Sequence, residues 1–131
     1  MVNPVARGAV CGLVGAVVTL VACLWHRSVL DVGPWQAFPF GLIMALAAVI
    51  ALGFAARAAA DWAGLIGAAA GVFVAAQASA LRGPGGDILI QGDAIGFIWI
   101  AGAPVLTLLV AVAPRAVFKR RAAAPPHRPE G

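Results

Sequence analysis

Four apolar stretches, each about long enough to cross a bilayer, occupy nearly all of this chain's 131 residues. They run over residues 8–25, 38–56, 62–81 and 97–117. About twenty residues rising ~1.5 Å each cover the ~30 Å hydrocarbon core of a membrane. A helix of that length on the surface of a water-soluble domain shows a polar face, and none of the four stretches carries one. Lipid rather than water is therefore the solvent this chain must satisfy. The expected fold is an all-α membrane protein, a four-transmembrane-helix bundle within residues 1–118. Residues 119–131 are basic, then rich in alanine and proline. They have nothing apolar to bury and are expected to be a disordered cytoplasmic tail.

Composition then excludes two classes. Hydrophobic residues make up 63% of the chain and charged residues 11%, against roughly a quarter charged in soluble domains. The net charge of +4 gathers at the ends of the apolar stretches rather than on one folded face, so no nucleic-acid partner is expected. Cys11 and Cys23 both fall in the first stretch. Twelve helical positions hold them ~18 Å apart, far beyond the ~7 Å that a disulfide allows between Cα atoms. They read as small apolar fillers.

The placement of charge sets an orientation. With four spans, Arg7, Arg57, Arg115, Lys119, Arg120, Arg121 and Arg128 share one side. The other side holds Arg27 and Arg82 with Asp31, Asp87 and Asp93. Basic residues near span ends are retained in the cytoplasm, which puts both termini inside a bacterial plasma membrane. Arg115, Lys119, Arg120 and Arg121 form the topology anchor, each worth ~1 kcal/mol near an anionic leaflet. Trp25, Trp35 and Trp99 are expected at the outer interface and Trp62 at the inner one. The link over residues 57–61 is short enough to force spans two and three into antiparallel contact, with Asp61 capping the third helix. In the outer loop over residues 82–96, turn signals flank Ile88-Leu89-Ile90 and predict a short extended piece or hairpin.

Within the spans, small residues form stripes. Gly8, Gly12 and Gly15 share one face of the first span, and Gly64, Gly67 and Gly71 one face of the third. Small residues let helix backbones approach closely in lipid, so these stripes are expected packing faces, against each other or against another protomer. Gln77 is the strongly polar side chain inside a span, and it needs a hydrogen-bond partner there. Pro104 frees the carbonyl of Ile100. Gln77 is therefore expected to donate to that carbonyl or to Thr107, or else to contact a substrate.

Candidate chemistry is sparse. Asp87 and Asp93, with Gln91, are weak candidates for an outward-facing cation site, set against the commoner aspartate that bonds its own turn. His26 with Asp31 lacks a positioned nucleophile, so no catalytic site is expected, and no cofactor motif is present. Leu20-Val21-Ala22-Cys23 resembles the lipobox of bacterial lipoproteins, with Arg7 as the basic start, which makes Cys23 a possible lipidation site.

The run Arg82-Gly83-Pro84-Gly85-Gly86-Asp87-Ile88-Leu89-Ile90-Gln91-Gly92-Asp93, followed by Gly96 and Trp99, resembles uncharacterised small four-span integral membrane proteins of high-GC Gram-positive bacteria. The resemblance implies a fold and a location and supplies no activity. The expected role is a non-catalytic accessory or assembly subunit, acting with copies of itself or in a larger membrane complex. The alternatives are a small transporter or channel formed by oligomerisation, and a lipobox-processed anchor at Cys23.

Overall fold

The computed structural model describes residues 3–81, 86, 88 and 90–118, apart from the side chains at 32 and 35–37. Helix α1 spans Pro4–Trp25. Asn3 caps it by accepting a hydrogen bond from Val5 N–H, and Pro4 occupies the first turn, where a missing N–H costs nothing. A two-stranded antiparallel hairpin follows, β1 (Leu30–Val32) and β2 (Trp35–Phe38). Its turn passes through Gly33 at φ +54°, a backbone region that suits glycine. Helix α2 covers Phe40–Ala80 and α3 covers Ala94–Leu109, running through Pro104. Short 3₁₀ turns at Val110–Val112 and Arg115–Val117 end the described chain.

This corrects the expectation of four separate helices in an all-α fold. Residues 40–80 form a single 41-residue element. Among the described residues three helices, not four, are therefore long and apolar enough to cross a membrane. The fourth stretch also starts earlier and stops sooner than 97–117, since Pro114 cannot continue a helix. The hairpin expected over 82–96 falls partly outside the described residues; the hairpin present lies between α1 and α2.

Helix α2 is broken inside. Ala60 and Asp61 leave helical geometry, and Asp61 takes φ 50°, ψ −132°, a region that a side chain enters only at a cost of order 1 kcal/mol or more. A Cβ built on Gly64 would strike the carbonyl of Ala56. Eight residues along a straight helix lie ~12 Å apart, so the chain folds back at this break. Asp61 is thus the corner itself, and its carboxylate makes no capping bond among the described residues, contrary to the expected helix cap.

Two kinds of seam hold the helices together. Along α1 and residues 62–80 the contact is backbone on backbone. A Cβ added at Gly8 would sit 2.9 Å from Ala63 O, at Gly12 3.0 Å from Gly67 O, and at Gly15 2.6 Å from Ala68 O. Both numbers rise together, so these segments run parallel. Helix α1 runs antiparallel to residues 40–59, where Gly41 N–H donates to Ser28 O at 2.8 Å. Helix α3 packs on residues 40–59 through larger side chains. Thr107 Oγ1 donates to Ala103 O (2.8 Å), with a longer contact to Val49 O (3.4 Å). Val49, Val72, Trp99 and Ala103 fill the core between them.

Candidate functional site

The helix directions gather the polar side chains at two ends of the molecule. One end joins the start of α1, the α2 break and the last described residues: Arg7 donates to Ala59 O, and Phe54 stacks on Phe118. The other joins the end of α1, the hairpin and the start of α3.

Arg57 dominates the first end. It is only 4% exposed. Its Nη1 donates to the carbonyls of Val110 (2.6 Å), Ala111 (2.9 Å) and Ala113 (3.3 Å). These carbonyls lie where the helix stops and Pro114 has no N–H to return; Val110 O also accepts from Ala113 N–H at 3.1 Å. A cation at a helix C-terminus also matches the helix dipole. The guanidinium lies over the rings of Trp62 and Phe118, 4.8 and 4.6 Å from their centroids, a favourable stacking for a weakly hydrated cation. Its Nε is enclosed without a partner. Among the described residues its Nη2 has no hydrogen-bond partner, and no carboxylate pairs with it. Two concavities of about 310 and 330 Å³ share Arg57, Asp61 and Phe118 as walls; Arg115 lines the first and Arg7 the second.

The opposite end is built on Cys23, His26 and Trp99. His26 is 1% exposed; its Nδ1–H donates to Cys23 O at 2.7 Å, and Nε2 is enclosed with no partner. Its ring stacks on Trp99, centroids 5.7 Å apart, and Trp99 Nε1–H donates to Cys23 Sγ at 3.2 Å. Outside this cluster, Arg27 grips Asp93 with two bonds of 2.7 and 3.2 Å. Asp93 also caps α3 by accepting from Gly96 N–H at 2.9 Å. The Arg27 bonds, then the Gly96 N–H, pull the Asp93 carboxyl down to about 2, and Asp93 in turn raises Arg27.

Several sequence expectations change here. Asp93 is a helix cap and ion-pair partner rather than a cation ligand, and no group of three metal-ligating side chains occurs among the described residues. Asp87 lies outside the described residues, as do Lys119, Arg120 and Arg121. Gln77 is exposed and does not reach Ile100 or Thr107; the Thr107 hydroxyl is already spent on Ala103 and Val49. Trp99 is fully buried rather than interfacial, while Trp25 is exposed. Cys23 is 5% exposed, and lipobox processing there would remove the part of α1 that forms the glycine seam. Gly8, Gly12, Gly67 and Gly71 face each other in that seam, whereas Gly64 packs on Ala56 at the break. Arg115 is exposed at the rim of the Arg57 cavity. The inward turn of Arg57 had one signal in the chain: a proline at 114 closing an apolar helix at the same end.

Compared with protein-family models, with curated proteins and with solved structures, the chain matches none.

Proposed function

We propose that this chain is an integral protein of the bacterial plasma membrane with its Arg7, Arg57 and Arg115 end in the cytoplasm. Its role is non-catalytic: it self-associates, as an assembly or accessory subunit. Three apolar helices support the membrane location, with Val10, Leu13, Val17 and Leu24 of α1 exposed along its length. The excess of arginine at one end supports the orientation.

The observation that carries self-association is Gln77. It is exposed on residues 62–80, and its neighbours on the same face, Phe73, Val74 and Leu81, are exposed as well. An amide left unpaired in hydrocarbon costs on the order of a kcal/mol or more. A second copy presenting the same face supplies both a donor and an acceptor, which is the isologous arrangement of a two-fold dimer. Native mass spectrometry from mild detergent is expected to show one fixed oligomer, and Gln77→Leu is expected to shift it to monomer. A wild-type monomer, or an oligomer unchanged by Gln77→Leu, would overturn the reading. Co-purification of a different membrane protein at fixed stoichiometry would replace self-association with a subunit role.

A further inference from the structure

The Arg57 cavity holds a charge that no carboxylate among the described residues pairs with. A guanidinium cannot shed its proton, and an unpaired buried cation costs several kcal/mol. Three N–H-bearing atoms divide the work. Nη1 is fully occupied by the carbonyls of Val110, Ala111 and Ala113, while the enclosed Nε has no acceptor and Nη2 has none among the described residues. Nε–H and the adjacent Nη2–H point the same way from one edge of the planar group. That edge is the fork that binds two oxygens of a phosphate or carboxylate side by side. The backbone bonds at Nη1 and the rings of Trp62 and Phe118 hold the plane in place.

The surroundings select an anion. Arg7, Arg57 and Arg115 against Asp61 leave a net charge of +2 around the two concavities, which suits a phosphodiester or a phosphomonoester. The site also lies at the end of the helices, where Arg7 and the last carbonyls of the bundle meet. For a chain read as membrane-spanning, that is headgroup depth. We infer that the Arg57 cavity, rimmed by Arg7 and Arg115, binds the phosphate of an anionic phospholipid headgroup. This rests on the membrane reading of the chain, but not on its self-association.

The test is lipid titration by native mass spectrometry of the full chain, delipidated in neutral detergent. Phosphatidylglycerol and phosphatidylcholine of identical acyl chains are added separately, then inorganic phosphate as competitor. The expected result is at least five-fold tighter retention of phosphatidylglycerol, lost in Arg57→Lys, which keeps the charge but not the fork. Arg115→Gln, at an exposed position that leaves the fold intact, is expected to weaken retention several-fold. Equal binding of the two lipids would overturn the proposal, as would unchanged selectivity in Arg115→Gln together with a folded Arg57→Lys. Displacement of the lipid by millimolar inorganic phosphate would overturn the lipid source in favour of a free phosphate ligand. The readout is made in micelles and counts lipids per chain, so it is independent of whether Gln77 drives association.

Discussion

The two ends of the molecule each bury a nitrogen-bearing side chain with one enclosed nitrogen that lacks a partner, and they solve the problem differently. At the α2 break, Arg57 brings a fixed positive charge and spends one nitrogen on three backbone carbonyls. At the start of α3, His26 spends Nδ1 on a single carbonyl one turn back and lays its ring on Trp99. The first arrangement ties together segments more than fifty residues apart; the second is mostly local to the end of α1. Arg57 is a brace between chain segments, and His26 is a plug in a packed end.

That contrast can be broken by substitution. Arg57→Ala removes the side-chain donor to three carbonyls in the bundle, of which Val110 O keeps the N–H of Ala113. It is expected to cost about 2–4 kcal/mol, since bonds from charged groups are worth about 1.5–3 kcal/mol each and lose part of that when water enters. Thermal melting in detergent reads this as the largest loss of any change considered. His26→Phe keeps the stack on Trp99 and removes both the Nδ1 bond and the enclosed Nε2. Loss of one ~1 kcal/mol bond is offset by loss of one orphaned nitrogen, so melting is expected to move by no more than about 1 kcal/mol either way. If His26→Phe proves as damaging as Arg57→Ala, the distinction between brace and plug fails.

The smallest effect belongs to the half-exposed Arg27–Asp93 pair. The folded carboxyl titrates at about 2, below the ~4 of an unfolded aspartate. Its contribution is therefore fully present above about pH 4 and declines as pH falls through about 2, while Arg27 stays charged throughout. Asp93→Asn is expected to flatten that part of the melting-versus-pH curve and to leave stability at pH 7 slightly lowered. An identical acid slope in the two proteins would show that the pair contributes nothing.

The apolar stretches were legible because lipid solvation needs only local composition. The glycine stripes were legible for the same reason, being periodic on one helix. Arg57 was not. In the chain it sits among short-link residues and reads as a topology charge, because its acceptors lie 53–56 positions away. Trp99 looked like a belt residue until His26 and Cys23 supplied partners for its ring and its N–H. Gln77 failed in the opposite direction. A lone amide was assigned an internal partner, yet the inside of the bundle was already satisfied by hydroxyls bonding back along their own helices, as Thr19 does to Gly15 and Ser79 to Ala75. The turn over residues 57–61 is tighter than a five-residue link: only Ala60 and Asp61 leave helical geometry, so helix runs up to the corner on both sides.

The glycine seam also sets an order of events during synthesis. Gly8 meets Ala63 and Gly12 meets Gly67, partners separated by 55 residues in each case. At the usual ~5–20 residues per second of elongation, roughly 3–11 seconds pass between making one side of the seam and making the other. Throughout the later part of that interval α1 can lie against residues 40–59, but its glycine face has no partner. The first helix to emerge is thus the one that waits longest for its principal contact, and the corner at Asp61 must close before it can dock.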